Sequence, residues 1–148
     1  SRGLGDVYKR QDLTSLPAYC RLAAEMCGLE IPASYPVVGL DAFRTGTGVH
    51  AAAIIKAMEK GDDWLVDRVY SGVPASMVGC EQTIEVSPVS GMSNVRYWLD
   101  AHGYPGSDDA LARRVFELAK RSDHTLTAAE IEAEIGPPHG RAAGGDGA

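Results

Sequence analysis

The histidine at position 50 combines a side chain suited to proton transfer with surroundings that could aim it. It follows a turn flexed by Gly46 and Gly48, and it stands where the apolar stretch Ala51-Ala-Ala-Ile-Ile55 predicts the start of a helix. An imidazole there is held by a rigid element and still faces outward, which suits acid–base chemistry. From the residues alone, a single histidine beside an apolar helix is more often a structural, hydrogen-bonded residue, and both interpretations stay open.

The same residues also match a phosphate-binding pattern. Gly46-Thr-Gly-Val-His-Ala51 fits G-x-G-x-x-A, which can cradle a phosphate at a helix N-terminus. A dinucleotide-binding fold needs a buried strand directly before the glycines and a second strand ending in an acidic residue about 20 residues later. Asp41-Ala-Phe-Arg44 precedes the glycines and a helical pattern follows them. We therefore expect a flexible helix start rather than a nucleotide site.

Other residues with chemical potential have weaker contexts. Tyr70 ends a short predicted helix, where a tyrosine usually packs with its hydroxyl on water. His102 and His124 stand at predicted helix ends, where a cation is favoured, and we assign them no chemistry. No group of His, Cys, Asp and Glu has the spacing of a metal site, and no nucleophile elbow is present.

The three cysteines are expected to be structural. Cys20, Cys27 and Cys80 are odd in number and lack metal-ligand spacing. Cys20 and Cys27 fall on one face of a predicted helix. The pattern predicts buried thiols in a reducing compartment rather than ligands or a disulfide.

Length and charge exclude several classes of function. The chain has 148 residues, of which 45% are hydrophobic, enough for one modest core. Its formal charge is −6, and no block of Lys and Arg is present to bind phosphates, which argues against nucleic acid. No apolar run approaches the roughly 20 residues of a membrane span. No signal peptide is visible, so we expect a cytoplasmic protein.

The two ends of the chain differ from its middle. Residues 1–11, Ser1-Arg-Gly-Leu-Gly-Asp-Val-Tyr-Lys-Arg-Gln11, look like an in-frame translation of a sequencing adapter. They are expected to be an artefact at the start of a gene fragment. Residues 136–148 are mostly Gly, Pro and Ala, and we expect a disordered tail in which His139 has no function. Residues 12–135 remain as the folded part.

Apolar residues at three- and four-residue spacing predict a mainly α fold of about six short helices. The first is expected from about Thr14 to Cys27, with Gly28 as its end. The second runs from Gly48 to about residue 60, and a short third one from residue 62 or 63 reaches residue 70. Residues 83–87 alternate and are rich in β-branched side chains, which predicts one short extended segment.

The last three helices carry clear boundary signals. The fourth is expected to open at Ser90 or Gly91 and to close at residue 103. Ser107 is predicted to cap the fifth, whose buried stripe would be Leu111, Val115 and Leu118. Residues 127 and 130, Thr and Glu, form a capping box for the sixth, which should stop at residue 136.

Three blocks between about residues 12 and 135 resemble the 2-isopropylmalate synthase family, which includes the homocitrate and citramalate synthases. The first block is Pro36-Val-Val-Gly-Leu-Asp-Ala-Phe43, followed by Gly48-Val-His50 and Lys56. The second is Tyr70-Ser-Gly-Val-Pro-Ala-Ser-Met-Val-Gly79. The third is Ser90-Gly-Met-Ser-Asn-Val95, with the ending Ser122-Asp123, Leu126-Thr127 and Glu130. The resemblance is to the helical region that follows the family's TIM barrel, and the barrel itself is absent from this chain.

The resemblance implies a Claisen-type condensation of acetyl-CoA with a 2-oxo acid. It implies that His50 and Tyr70 are catalytic, near the acetyl-CoA end of the site, and that they reach a partner subunit's barrel in a swapped homodimer. A neutral imidazole can take or relay a proton, and a phenol can donate to a developing enolate or thioester oxygen. No cofactor is expected in this fragment. A divalent metal is expected in the missing barrel.

This sequence departs from the family pattern at several positions. The family's Asn is Asp41, its His-Glu before the Ser-Gly is Thr45-Gly46, and its Gln-Asp-Gly after the histidine is Ala51-Ala52-Ala53 in this chain. Contacts made by those family residues are not carried over to this chain. The closest family member is expected to be 2-isopropylmalate synthase, with homocitrate and citramalate synthases as alternatives, because substrate choice is set mainly in the barrel.

Two functions therefore compete. The first is a fragment of an acyl-CoA condensing enzyme that is inactive without its barrel. It predicts exposed apolar faces, self-association, and a metal-binding barrel encoded upstream of residue 12 in an uninterrupted clone. The second is a free-standing helical protein-interaction module, which predicts a stable particle with a cooperative melt.

Overall fold

A computed structural model describes residues 11–138, and within them the chain forms six α-helices and two short strands. In chain order these are α1 (Leu16–Cys27), β1 (Arg44–Thr45), α2 (Gly48–Glu59), α3 (Asp63–Arg68), β2 (Thr83–Ile84), α4 (Met92–Ala101), α5 (Asp109–Arg121) and α6 (Ala128–Ile135), with a 3-10 turn at Ala75–Val78. The predicted mainly α fold is confirmed. Residues 1–10 and 139–148, which hold most of the adapter-like segment and most of the expected tail, lie outside the described residues, so those two expectations stay predictions.

The described residues divide into two compact units. The first comprises residues 11–44 and 64–83, and the second comprises residues 45–63 and 84–138. Each of the two strands lies at a point where the chain leaves the first unit and enters the second. The strands pair in parallel: Thr83 N–H donates to the Phe43 carbonyl (2.9 Å), and Glu85 N–H donates to the Thr45 carbonyl (3.0 Å). The extended segment predicted for residues 83–87 therefore includes a strand of two residues, and its partner β1 was not predicted.

In the second unit, α2 packs on α4, α4 on α5, and α5 on α6. Ala51, Ile54 and Ala57 form the buried side of α2. The core among the later helices consists of side chains that are at most 7% exposed: Val86, Val95, Trp98, Leu99, Tyr104, Ala112, Val115, Ala119, Leu126 and Ile131. Burial of one large apolar side chain contributes about 1.5–3 kcal/mol, so this cluster is the main source of stability in the unit.

The centre of the α5 face differs from the predicted stripe. Val115 is fully buried as expected, but Ala112 and Ala119 are the other fully buried positions, while Leu111 and Leu118 are only partly buried at the edges. Small side chains at the centre of the stripe let the neighbouring helices approach closely, and the larger leucine side chains pack at the edges of the contact.

The cap of α5 is Asp108 and not Ser107. Asp108 has an extended backbone, and its carboxylate accepts hydrogen bonds from the N–H groups of Ala110 (2.9 Å) and Leu111 (3.1 Å). Ser107 lies one residue too early to reach those donors. The capping box of α6 is confirmed: Thr127 N–H donates to the Glu130 carboxylate (2.8 Å), and Glu130 N–H donates to the Thr127 hydroxyl (3.3 Å).

In the first unit, α1 ends as predicted at Gly28, whose φ of 65° is left-handed. The predicted burial of the cysteines is wrong: Cys27 is exposed, and Cys20 and Cys80 are half-buried. The cause is the packing of α1, which buries only Pro17 completely. All three thiols are free of disulfide bonds, as the sequence predicted.

No helix among residues 11–138 has the length and apolar composition needed to cross a membrane.

Overpacking the centre of the α5 stripe tests the corrected core. Ala119→Leu adds three carbon atoms at a fully buried position, so the free energy of unfolding should fall by about 1–3 kcal/mol. Ala110→Leu is the matched control, because Ala110 is exposed on the same helix, and it should change the free energy by less than about 0.5 kcal/mol. Urea titrations measure both, and equal effects would refute the assigned stripe.

Candidate functional site

The turn before α2 is packed directly against the backbone before α4. Gly48 N–H donates to the Val89 carbonyl (3.1 Å). A Cβ on Gly48 would lie 2.7 Å from the Gly91 nitrogen, so no larger residue fits there without moving the backbone. The glycines predicted to give flexibility instead permit a close approach. The phosphate-loop interpretation has no support in the fold, because the paired strand before the turn has only two residues and α3 lies where a second strand would be needed.

His50 is the third residue of α2 and is exposed on its first turn. The residue after it, Ala51, is fully buried, and Ala51 N–H donates to the Thr47 carbonyl (2.9 Å). The helix is thus anchored by its buried side, while the imidazole on its first turn is accessible to solvent. This is the placement that the sequence predicted for a proton-transfer group.

Tyr70 lies in the first unit, two residues beyond α3, and its side chain is 61% exposed. Its φ is 57°, in the left-handed region that residues with a Cβ rarely adopt. The conformation costs roughly 1–2 kcal/mol. Such strain persists only where surrounding contacts enforce it, and it is common at functional sites.

Two side-chain contacts hold the segment around Tyr70. The Asp67 carboxylate accepts hydrogen bonds from the Ser76 N–H (2.9 Å) and hydroxyl (2.6 Å), which ties α3 to the 3-10 turn. The Gln82 amide donates to the Ser71 hydroxyl. The loop that contains Tyr70 is therefore restrained on both sides. His50 and Tyr70 belong to different units.

A polar cluster that was not predicted from the sequence supports the turn before His50. Ser87, Ser90 and Asn94 are buried polar residues of the second unit. The sequence indicated Ser90 as a possible helix start and placed both Ser90 and Asn94 in a family block, without a role in holding this turn. A polar residue three positions after Gly91, in the pattern of a capping box, was the available signal.

The remaining histidines have structural contacts. The ring of His102 stacks on Trp98, with 3.8 Å between ring centroids, and its Nδ1 lies 2.7 Å from the Trp98 carbonyl oxygen. His124 bridges two carboxylates: Nδ1 lies 2.9 Å from Asp123 and Nε2 lies 2.8 Å from Glu130. His139 lies outside the described residues.

The hydrogen bonds in the cluster around His124 shift the pKa values of three groups. Hydrogen bonds to Asp123 and then to Glu130 raise the pKa of His124 above its usual value. The hydrogen bond to His124 lowers the pKa of Asp123. The hydrogen bonds from Thr127, with a smaller part from His124, lower the pKa of Glu130 to about 2. The cluster stabilises the start of α6 when His124 is protonated.

No three His, Cys, Asp and Glu side chains in the described part of the chain are grouped as metal ligands. The expectation that this fragment holds no cofactor stays a prediction.

Comparison with known proteins gives a consistent set of relatives. No protein-family model matches the chain. It is 32% identical over 119 residues to a homocitrate synthase of Pyrococcus abyssi, covering 80% of this chain and 30% of that protein. It is 30% identical over 135 residues to an (R)-citramalate synthase of Aquifex aeolicus, covering 88% of this chain and 24% of that protein. It is 26% identical over 102 residues to a 2-isopropylmalate synthase of Edwardsiella ictaluri, covering 68% of this chain and 18% of that protein. The chain spans less than a third of the length of each.

Removal of the His124 side chain should destabilise the chain in a pH-dependent way. A raised folded-state pKa means that the stabilisation is fully present below the usual value of 6.5 and is lost as the pH rises through the raised value. Glu130 keeps its charge throughout this window. His124→Gln should therefore lower the urea midpoint more at about pH 6 than at about pH 9.

Ionic strength provides the control for this experiment. The groups are exposed, so about 1 M salt should reduce the difference measured near pH 6. An equal loss of stability at both pH values would contradict the role of the protonated His124.

Proposed function

Because the chain belongs to the family of the 2-isopropylmalate, homocitrate and citramalate synthases, we propose that it is the helical part that follows the barrel in an acyltransferase. The enzyme condenses acetyl-CoA with a 2-oxo acid and is inactive without its barrel. The observation that carries the proposal is the match of most of this chain to less than a third of each relative. That pattern is expected of one part of a larger enzyme.

The proposed reaction is a Claisen condensation followed by hydrolysis. A proton leaves the acetyl methyl group, a bond forms between that carbon and the keto carbon of the oxo acid, and water then cleaves the thioester to release CoA. When bound in the barrel, a divalent metal polarises the keto group. The residues of this chain would act at the acetyl-CoA end.

His50 is proposed to take or relay the methyl proton. Its exposure on the first turn of an anchored helix supports this role, because a general base must reach the proton without being displaced. Tyr70 is proposed to donate its hydroxyl hydrogen to the developing enolate or thioester oxygen. Its exposed side chain and enforced left-handed backbone support this role.

The finer proposal for the substrate is 2-oxoisovalerate, which gives 2-isopropylmalate in leucine biosynthesis. It rests on the sequence blocks, and homocitrate and citramalate synthase activities stay as alternatives, since relatives with all three names match. Product analysis with the three oxo acids separates them. The proposal also includes a cytoplasmic homodimer in which the helical part reaches the partner subunit's barrel.

An exposed apolar face supports a fragment over a free-standing interaction module. Tyr19, Leu22, Met26 and Leu29 are all more than half exposed in the first unit. The first three lie on α1, and their spacing of three and four residues places them on one side of that helix. In a complete enzyme such a face is expected to be covered.

Substitution of the two proposed catalytic residues tests the function. In the complete enzyme, His50→Gln should lower kcat with acetyl-CoA by about 10²–10⁴-fold, the usual contribution of a positioned acid or base. Tyr70→Phe should also lower kcat, because the phenyl ring keeps the packing but has no hydroxyl to donate. Metal binding should survive in both variants.

The same changes of residue type, His to Gln and Tyr to Phe, at other exposed positions serve as controls. His124→Gln and Tyr19→Phe change exposed residues of the same types and should leave kcat within about twofold of the wild type. Unchanged turnover in both His50→Gln and Tyr70→Phe would refute the proposed roles.

The state of the 148-residue chain distinguishes the two functions. As a fragment it should self-associate with increasing concentration in sedimentation experiments, through the apolar face of α1. Leu22→Glu with Met26→Glu should reduce the association, since both side chains are exposed on that face. A monomer with a cooperative melt at all concentrations would favour the interaction module instead.

A further inference from the structure

The carbonyl oxygen of Gly46 is the point at which the turn before α2 is held. It accepts hydrogen bonds from the Ser90 hydroxyl (2.6 Å), the Asn94 amide (3.2 Å) and the Ser87 hydroxyl (3.3 Å). The three donor residues are 3%, 0% and 6% exposed, respectively. One donor is enough to satisfy a carbonyl oxygen, and this half-buried one has three possible donors.

Asn94 uses its whole amide group in these contacts. Its Nδ2 also donates to the Glu85 carbonyl (3.0 Å), and its Oδ1 accepts from the Gly91 N–H (3.2 Å). One side chain therefore joins the turn before α2, the segment after β2, and the start of α4. Loss of the amide would leave the Gly46 and Glu85 carbonyls to share the Ser90 hydroxyl as a donor. It would also remove the acceptor of the Gly91 N–H, and an unsatisfied group of this kind costs about 1–3 kcal/mol when it is buried.

Gly46 and Gly48 lie in close contact with the segment before α4. A Cβ on Gly46 would lie 2.9 Å from the Ser87 hydroxyl oxygen, and one on Gly48 would lie 2.7 Å from the Gly91 nitrogen. Gly46 is four residues before His50, and α2 begins between them at Gly48. Because a helical turn is rigid, the restraint on residues 46–48 also sets the direction of the His50 side chain.

We infer that Asn94 and Ser90 are positioning residues for His50, acting through the Gly46 carbonyl. This inference rests on the proposed function, in which His50 handles the proton of the acetyl methyl group. Neither residue has to touch the substrate. A displacement of about 1 Å in a reacting group can cost on the order of 100-fold in rate, so a loosened turn would lower kcat more than substrate affinity.

Kinetics of the complete enzyme provide the first test. Asn94→Ala should lower kcat by about 10–100-fold while KM for the oxo acid stays within about twofold. Ser90→Ala, which leaves Asn94 as a donor, should have a smaller effect in the same direction. On a His50→Gln background, Asn94→Ala should lower kcat no further, because the residue it positions is already absent.

Two controls separate positioning from stability. Val95→Ala removes an equally buried neighbour on α4, and Ser93→Ala removes a hydroxyl from the same helix; neither side chain bonds to Gly46. Both should leave kcat per folded enzyme within about twofold, even where Val95→Ala lowers the melting temperature. The inference is overturned by an equal kcat loss in Val95→Ala, or by a loss in Asn94→Ala that persists on the His50→Gln background.

A spectroscopic measurement tests the positioning independently of catalysis. In the 148-residue chain, Ser90→Ala and Asn94→Ala should shift the imidazole ¹H–¹³C signal of His50 and leave the signal of His124 in place. The control Ser93→Ala should leave both signals in place. An unmoved His50 signal would overturn the inference whatever the kinetics show. A moved signal, combined with unchanged turnover in His50→Gln, would instead overturn the proposed catalytic role and leave the positioning intact.

Discussion

The hydrogen-bonded carbonyl of Gly46 is the constraint on which the arrangement of the second unit depends. Its partners come from Ser87, Ser90 and Asn94, which precede or begin α4. The start of α2 is therefore joined to the start of α4 by polar contacts in a buried environment, where an unmet hydrogen bond is expensive. Glycine is required at position 48 of this junction, since a Cβ there would lie 2.7 Å from the Gly91 nitrogen.

The same junction is tied to the end of α5. The Lys120 ammonium donates to the carbonyl oxygens of Pro88 (2.6 Å) and Ser90 (2.8 Å), and it lies over the Phe116 ring, 4.8 Å from its centroid. Its charge thus serves two purposes. It complements the dipole at the C-terminal end of α5, and it satisfies carbonyl groups in the loop that supports the His50 turn. The apolar core among α4, α5 and α6 gives these polar contacts a fixed frame.

Local signals made the helices predictable, whereas contacts between distant residues did not. Gly28 and Gly103 end helices in left-handed conformations, with φ of 65° and 80°, because they lack a Cβ, and this is readable from the sequence. The Thr127 capping box is equally local. The bonds from Asn94 to Gly46 span 48 residues, and no short pattern encodes them. Exposure of Cys27 was missed because the spacing defines a face of α1 and does not say whether anything covers it.

The two proposed catalytic residues depend on different kinds of restraint. His50 sits on a regular helix whose start is fixed by side chains from another segment of its unit. Tyr70 sits in a strained left-handed conformation, and Asp67–Ser76 and Ser71–Gln82 contacts hold the segment around it. Residue type and family pattern indicated both positions. The side-chain contacts that hold each position were not visible in the sequence. The chemistry of each residue thus depends on polar side chains that need not contact the substrate, and these side chains are where substitutions should separate positioning from stability.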